Sequence, residues 1–379
     1  MARGLKMQGL SKTMTELPEV LVFDILAKLP VKSLIRFKCV CKHWSSSFQT
    51  PLFITQHHRN HLRNNDLNFI FKRSIGNSSP DYRYYSLFQL STEDGQSFSL
   101  KQNIRLPFFD DRWRSPQVYG PCNGILCVES EGNLALWNPS TRQFKILPQS
   151  SVQRPPSADR TRFQCIGFGY DSQTYDYKVL RFVSHMYKND HGAYSRETKQ
   201  VDLYSLKGNS WKEISVPGVS ALGSSWHDNH VNGTYYWPAN GADDGGYSCI
   251  LSFDMVNERF STLSLPGFNG GGFLEYELLL LNFNGLLGAI TFPWTGTLKS
   301  LEIWVMSGSW TKLSVIESVP VVDMPLGFWK NGELFLENSD GELVLFDPST
   351  REFRNLGIHT CYKGSMNIIA YAESLVTFN

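Results

Sequence analysis

The sequence has no long apolar run and no paired-cysteine framework, and each absence excludes a class of protein. No stretch reaches the roughly 18 consecutive apolar residues that suggest a transmembrane helix, and Met1 to Lys12 lacks the apolar run of a signal peptide. The seven cysteines, at positions 39, 41, 122, 127, 165, 249 and 361, contain no C-x-x-C pair. Neither a disulfide framework nor a zinc or redox motif is therefore indicated. We expect a protein of the cytoplasm or the nucleus, with no membrane partner.

Catalytic signatures are missing as well. The sequence contains no G-x-S-x-G and no H-E-x-x-H. Asp110-Asp111 and Asp243-Asp244 are neighbours in loops, whereas paired catalytic carboxylates need different environments to separate their pKa values. His57 and His61 have the i, i+4 spacing of a metal pair, but no third ligand follows them. We expect no catalytic residue, no cofactor and no metal.

The charge is unevenly shared between the two parts of the chain. Residues 1–63 contain ten Lys or Arg and three Asp or Glu, a net charge of +7, and the remainder has a net charge of −6. Nucleic-acid binding through Lys32, Arg36, Lys38 and Lys42 is one alternative. These basic positions alternate with apolar ones, without the aromatic side chains that stack on bases. A protein partner is therefore the preferred interpretation, and no nucleic acid is expected.

One hairpin-sized unit recurs along the chain: an aromatic residue, a polar turn and a second aromatic residue. Trp137 to Phe144 reads WNPSTRQF, and Phe346 to Phe353 reads FDPSTREF. Further copies lie at Tyr204 to Trp211, Phe253 to Phe260 and Trp304 to Trp310, with a weaker one at Phe88 to Phe98. Strand, turn and strand at intervals of about 50 residues are typical of kelch-like propeller blades. We predict an all-β propeller of six blades; five or seven blades, or an open β-sandwich, are the alternatives.

Other patterns fit the same architecture. Leu67 to Phe71 and Asn367 to Thr377 are predicted as the first and last strands, paired in one blade to close the ring. Asn-Gly pairs at positions 123, 232, 284 and 331 predict tight type I′ turns. Long polar insertions are expected to carry recognition, as loops on a rigid scaffold often do; they are Ser74 to Arg83, Phe108 to Ser115, Gln149 to Arg162 and His185 to Lys199.

The N-terminal part has a different periodicity. After a leader predicted to be disordered (1–14), apolar residues recur at helical spacing through Leu29, and Pro30 separates this helix from a second one, Val31 to about Val40. A third helix, Cys41 to Phe48, is expected to end before Pro51. Three short helices cannot bury this much apolar surface among themselves, so part of it is expected to contact a partner.

Fixed spacings in this region resemble the F-box. They are Leu17-Pro18, Ile25-Leu26, Leu29-Pro30, Leu34, Val40-Cys41-Lys42-x-Trp44 and Pro51-x-Phe53. The following chain resembles the F-box-associated domain of plant F-box proteins, through motifs such as Cys122-Asn-Gly-Ile-Leu-Cys127, Gly167-Phe-Gly-Tyr-Asp171 and Ile303-Trp-Val-Met306. The resemblance implies a small all-α F-box of three helices (15–58), a linker (59–66) and a propeller (67–379).

The same resemblance implies a function. The helices would bind the Skp-type adaptor of an SCF ubiquitin ligase, whose cullin and RING subunits recruit the conjugating enzyme, and the propeller would hold a target protein. The implied adaptor-binding residues are Leu17, Pro18, Leu21, Ile25, Leu26, Leu29, Pro30, Val31, Leu34, Val40, Cys41 and Trp44. A propeller binding module or enzyme unrelated to ubiquitin is the alternative.

The sequence also resembles those of the S-locus F-box and S-locus F-box-like proteins. That narrower resemblance would imply a pistil ribonuclease of the self-incompatibility system as the target. Such ribonucleases are basic as a rule, so a body with a net charge of −6 would attract them. An ordinary F-box protein with another target is an equal alternative.

Overall fold

Four short helices precede the strands in the computed structural model of this chain. It describes residues 17–63, 67–75, 84–92, 98–104, 106, 116–130, 132–152, 154–221, 229–240, 247–267, 276–293, 298–320, 322–329 and 332–378. The leader predicted over 1–14 and the carboxylate pairs at 110–111 and 243–244 lie outside these residues. The helices are α1 (Glu19–Leu26), α2 (Val31–Phe37), α3 (Lys42–Ser47) and α4 (Pro51–Arg63).

The prediction of three helices was wrong because Pro51 begins a helix here. Proline is tolerated in the first turn, where its missing N–H has no intrahelical partner. Helix α4 continues to Arg63 and buries Phe53, His57 and His61 on one side. Much of the segment predicted as a linker is therefore helical.

The described strands pair into six antiparallel sheets. One contains β1 (Leu67–Ile75), β2 (Tyr84–Thr92), β3 (Phe98–Ile104) and β25 (Asn367–Ala372); the next contains β4 (Gln117–Cys122), β5 (Ile125–Ser130), β6 (Asn133–Asn138) and β7 (Gln143–Ile146). The third contains β8 (Arg160–Asp171), β9 (Asp176–Lys188), β10 (Tyr194–Ser205) and β11 (Ser210–Ile214). The fourth contains β12 (Ser220–Ala221), β13 (His230–Val231), β14 (Thr234–Asn240), β15 (Cys249–Asp254) and β16 (Arg259–Leu263). The last two are β17 (Tyr276–Phe283), β18 (Leu286–Pro293), β19 (Leu298–Ser307) and β20 (Ser309–Pro320), and then β21 (Val322–Phe328), β22 (Leu334–Asn338), β23 (Glu342–Asp347) and β24 (Glu352–His359).

The sheets are arranged as the blades of a propeller. Each pair of neighbouring sheets shares an apolar cluster: Phe168 of β8 packs with Leu136 of β6, for example, and Trp237 of β14 packs with Leu180 of β9. Five such clusters join successive sheets, and a sixth, containing Ile369 and Val128, joins the sheet of β25 to that of β4. The core therefore lies between the blades and runs around the ring.

The ring closes within one blade, as the sequence predicted. Strand β25 pairs antiparallel with β1, with Ala372 opposite Leu67 and Asn367 opposite Lys72. The C-terminal strand is thus the innermost strand of a sheet whose other three strands come from residues 67–104. The pairing removes the exposed edges that an open ring would leave.

Three of the four Asn-Gly pairs form the predicted two-residue turns. Cys122 pairs with Ile125, Val231 with Thr234 and Phe283 with Leu286, so each loop contains only Asn and Gly. Both residues have positive φ in all three loops, which is the type I′ geometry. Asn331 lies outside the described residues.

The aromatic hairpins are the outer two strands of the blades. Trp137 faces Phe144 and Phe346 faces Phe353 in register, and the pairs Tyr204–Trp211 and Phe253–Phe260 do the same. In the shorter copy the turn is centred on Gly308, so Trp310 lies opposite Met306 and Trp304 lies opposite Lys312. The sixth copy does not form this pair, because Phe88 lies opposite Asn103 and Phe98 lies opposite Thr92.

The helices and the tight turns lie at the same end of the propeller, which we call the helix end. Innermost strands of a propeller run in one direction, so the Asn-Gly turns meet at one end; Asn232 Nδ2 donates to the carbonyl of Gly285 at 2.9 Å. Strand β25 also ends there and leads to Glu373, which contacts Val31 of α2. Strands β1, β3, β7 and β9 end at the opposite end, the far end. The prediction of a long insertion at His185 to Lys199 was wrong, because most of it extends the paired strands β9 and β10 and only residues 189–193 connect them.

Candidate partner-binding surface

Helix α1 and the residues just before it present an apolar stripe to solvent. Leu17, Leu21 and Ile25 recur at i, i+4 and i+8 and are 59%, 49% and 52% exposed. Pro18 is the N-cap residue of α1 and is exposed too. We call Leu17, Leu21 and Ile25 the α1 stripe.

Three residues predicted to bind the adaptor lie inside the helical module instead. Leu26, Val31 and Leu34 are at most 6% exposed and pack with Phe48 and Phe53. The sequence pattern could not separate them from the α1 stripe, because every apolar position of a short amphipathic helix follows the same period. Their role is to hold the helices together.

The remaining predicted residues lie between these two groups. Leu29 and Trp44 are half-buried, and the Trp44 ring packs 5.8 Å from that of Phe37 and 6.4 Å from that of Phe48. Pro30, Val40 and Cys41 are exposed. The Cys41 thiol accepts a hydrogen bond from the backbone N–H of Trp44 at 3.4 Å, so this cysteine caps α3.

Sequence reasoning missed several exposed apolar side chains. Val20 and Leu52 are 72% and 73% exposed, and Ile35 is 38% exposed. Val20 is adjacent to Leu21 in α1, and the presence of an apolar residue there could have predicted that it belongs to the exposed apolar surface. Leu52 was missed because Pro51 was taken as the end of the helical region.

The helical module is fixed to the propeller by the segment that follows β25. Glu373 Oε2 accepts a hydrogen bond of 2.6 Å from the backbone N–H of Val31, at the first turn of α2. The Leu375 side chain is 2% exposed and belongs to the apolar core of the helices. The residues on either side of Leu375 bind the propeller: Asn138 Nδ2 of β6 donates to the carbonyl oxygens of Ser374 and Val376, both at 2.9 Å.

Histidines of α4 also contact the segment between α1 and α2 and the segment after β25; we call these contacts, together with those of Glu373 and Leu375, the junction. His57 Nε2 lies 2.9 Å from the Leu29 carbonyl oxygen, and His58 Nδ1 lies 3.2 Å from that of Glu373. Burial lowers the pKa of His57 to about 4, so its ring is neutral and donates from Nε2. His61 approaches the same Leu29 carbonyl at 3.4 Å. The described residues contain no group of three or more His, Cys, Asp or Glu that could hold a metal.

Buried ion pairs in the propeller join neighbouring elements. Lys178 Nζ lies 2.9 Å from Asp171 and 3.0 Å from Glu258, and it donates to the Met255 carbonyl at 2.7 Å. Hydrogen bonds, the first of them from Lys178, outweigh burial and hold the pKa of Asp171 well below its usual range. These contacts join strands β8 and β9 to the turn between β15 and β16.

A second buried pair lies between aromatic rings. Arg181 donates to Asp202 at 2.7 Å, and its guanidinium lies 4.7 Å from the ring centre of Phe163 and 4.6 Å from that of Trp211. Arg181 is 2% exposed, so the group faces neither solvent nor a substrate. No helix among the described residues is long and apolar enough to cross a bilayer.

Two family models match the chain. The model described as F-box domain matches residues 14–55, and that described as F-box associated beta propeller domain matches residues 78–374. The first match includes α1, α2 and α3, and the second includes most of the propeller. Most of α4 and the whole of β1 lie between the two matched ranges.

The chain is also similar over most of its length to curated plant F-box proteins. The F-box protein CPR1 of Arabidopsis thaliana is 26% identical over 371 residues, covering 92% of this chain and 86% of the relative. An F-box/kelch-repeat protein of the same plant is 29% identical over 379 residues, covering 96% of both chains. Among solved structures, an oligogalacturonate lyase from Vibrio parahaemolyticus is 10% identical with a TM-score of 0.45, covering 76% of this chain and 83% of the lyase. That score is too low to support an argument about fold or function.

Proposed function

Because this chain belongs to the family of proteins with an F-box associated beta propeller domain, preceded by an F-box domain, we propose that it is the substrate-recognition subunit of an SCF ubiquitin ligase. The F-box binds the Skp-type adaptor, and the propeller holds a target protein for ubiquitination. The cullin and RING subunits bring the ubiquitin-charged conjugating enzyme. This chain contributes proximity between the target and that enzyme, and no catalytic residue of its own.

The α1 stripe is the observation that supports adaptor binding best. Leu17, Leu21 and Ile25 are exposed although the chain has a packed core beside them, where Leu26 is buried. Exposed apolar side chains on α1 and just before it, with no cover from the described residues, fit a helix that docks on a partner. Val20, also exposed in α1, widens the surface.

The junction between the helices and the propeller supports the proposal that the chain brings a bound target close to the conjugating enzyme. Glu373 and Leu375 attach the helices directly to the strand that closes the propeller. A target bound on the propeller is therefore held in a fixed position relative to the adaptor. A fixed spacing raises the effective concentration of the target's lysines at the charged enzyme more than a flexible linker would.

The far end is the proposed target-binding end. Strands β1, β3, β7 and β9 end there, away from the helices that would be occupied by the adaptor. The connection between β7 and β8 is longer than a blade needs, and long connections on a rigid scaffold commonly carry recognition. A pistil ribonuclease as the target stays a prediction, and its measured binding to the full chain would decide it.

The test is co-expression of the full chain with a plant Skp-type adaptor, followed by co-purification. Leu21→Asp and Ile25→Asp each place a charge on the α1 stripe and should abolish the complex. Ile146→Asp is the matched control, because Ile146 is 54% exposed but lies on the outer strand β7 of a blade. It should purify with the adaptor like the wild type.

Two results would contradict the proposal. One is a wild-type chain that purifies as a folded monomer beside an excess of adaptor. The other is a complex that survives both α1 substitutions. Leu26→Asp is unsuitable as a test because Leu26 is buried among the helices, so its loss of binding would report unfolding.

A further inference from the structure

A cavity of about 1380 Å³ lies at the helix end, between α4 and the innermost strands of the propeller. Helix α4 forms one wall through His58, Arg59, Leu62 and Arg63. The rim opposite α4 is made by turns of the blades, including Asn123-Gly124, Asn232-Gly233 and Asn284-Gly285. The cavity is therefore enclosed jointly by α4 and the propeller, and it is separate from the α1 stripe.

The mouth of this cavity is cationic. Arg59 and Arg63 are one helical turn apart on α4, and both are exposed. Neither makes an ion pair within the described part of the chain. No aspartate or glutamate is among the described residues that line the cavity. His58 adds no charge at neutral pH, because burial lowers its pKa.

The inner wall of the cavity is apolar and largely aromatic. Phe283 and Phe328 line it with ring centres 5.1 Å apart, and Phe69 and Trp329 line it with ring centres 4.8 Å apart. Ile369 of β25 lies on the same wall. Concave apolar sites with a few placed polar groups are the usual form of a small-molecule site.

Glycines keep the cavity open at its rim. A Cβ built on Gly285 or Gly332 would meet no atom within 4 Å, and one built on Gly233 would meet only the Tyr170 carbonyl at 3.9 Å. Type I′ turns require positive φ, which these glycines adopt, so the same residues that form the turns leave the space unfilled.

We propose that this cavity binds a small amphipathic anion, with an apolar body against the aromatic wall and one carboxylate or sulfonate group at Arg59 and Arg63. Guanidinium groups bind such anions in charge-assisted, often bidentate hydrogen bonds. A cation of the same shape would be repelled by both arginines. Because α4 and the blades both contact the ligand, binding joins α4 more tightly to the propeller. The proposal does not depend on adaptor binding.

The probe is 8-anilinonaphthalene-1-sulfonate, an aromatic sulfonate whose fluorescence rises in apolar sites, titrated into the full-length chain. Decanoate and decylammonium, which share an alkyl chain and differ in charge, serve as competitors. We expect saturable binding of one probe, displaced by decanoate and not by decylammonium. The double variant Arg59→Gln/Arg63→Gln should weaken probe binding about tenfold or more, as expected for losing charge-assisted hydrogen bonds.

Two further variants locate the site. Ala370→Trp fills the cavity from β25, where Ala370 lines it and is only half-buried; it should abolish probe binding. The control Arg36→Gln/Lys38→Gln removes the same number of charges from α2 and its C-cap. Neither residue lines the cavity, so this variant should bind the probe like the wild type. Thermal unfolding of each variant checks its folding, and the exposed arginines keep the test valid if Ala370→Trp fails to fold.

The proposal is overturned by any of three outcomes. The first is a wild-type chain without saturable probe binding. The second is displacement of the probe by decylammonium as effectively as by decanoate. The third is unchanged probe affinity in the Arg59→Gln/Arg63→Gln variant, which would place the probe on the exposed apolar residues of α1 instead.

Discussion

The side-chain amide of Asn138 donates a hydrogen bond to the carbonyl oxygen of Ser374 across a sequence separation of 236 residues. The same amide also donates to Val376, and its Oδ1 accepts from the backbone N–H of Ser140 within the hairpin turn. Asn138 is fully buried. One side chain thus forms the turn of one blade and holds the C-terminal segment that contacts the F-box.

Asn138→Asp should destabilise the protein by about 2–4 kcal/mol, because a carboxylate cannot donate to the two carbonyl oxygens and would be buried against them. The matched control is Asp347→Asn, at the equivalent position of the FDPSTREF copy, where the side chain is half-buried and its Oδ1 accepts from the backbone N–H and the hydroxyl of Ser349. Unfolding in urea measures both. Equal midpoints for the two variants would contradict the role given to the Asn138 amide.

Leu26→Ala should lower stability, whereas Ile25→Ala should weaken adaptor binding, although the two residues are neighbours. Leu26 is 6% exposed in the core of the helices, so its truncation should cost about 2–4 kcal/mol. Ile25 is 52% exposed, and its truncation should cost less than about 0.5 kcal/mol. Thermal unfolding measures stability, and co-purification with the adaptor measures binding. Only Ile25→Ala should weaken the complex while leaving the unfolding temperature unchanged.

Glu373→Ala should loosen the helical module, because the backbone N–H of Val31 loses its acceptor at 2.6 Å. Charge-assisted hydrogen bonds of this kind contribute about 1.5–3 kcal/mol. Glu373→Gln keeps an acceptor oxygen and should retain most of the stability. Hydrogen exchange at amides of α2 is the measurement, with those of β14 as an internal reference. Faster exchange in α2 for the Ala variant alone is expected; equal exchange in all three proteins would show that the contact is dispensable.

Acidification should destabilise the helical module through His57. Burial lowers the pKa of His57 to about 4 in the folded chain, against about 6.5 when it is unfolded. The unfolded state therefore takes up a proton first, so this contribution to stability is complete above pH 6.5 and is lost as the pH falls towards 4, by about 3 kcal/mol at the limit. His57→Gln keeps a donor for the Leu29 carbonyl and should flatten the fall in stability between pH 6.5 and 4.

The variant His191→Gln is the control for this titration, because His191 is exposed. His230, whose pKa burial also lowers to about 4, continues to titrate in both variants. Unfolding midpoints measured at several pH values give the slope. An identical slope in His57→Gln and the wild type would refute the assignment to His57.

Local patterns predicted the propeller better than they predicted the partner surface. Paired aromatics such as Phe253 and Phe260, and turns such as Asn284-Gly285, depend on contacts within a few residues, and both formed as predicted. The weak copy at Phe88 failed because its longer turn allowed another register. The fourth helix was missed because proline at position 51 suits a helix start as well as a helix end.

The sequence by itself determined the hairpins, the type I′ turns, the closing pair of strands and the helical character of the F-box, since each rests on short-range periodicity and turn chemistry. Only the tertiary structure decided which apolar residues of α1 and α2 are buried. It also decided that Glu373 and Asn138 attach the helices to the propeller, and that Arg59 and Arg63 face a cavity. Burial and long-range contacts depend on which surfaces the folded chain brings together, and residues with the same local period, such as Ile25 and Leu26, then acquire different roles.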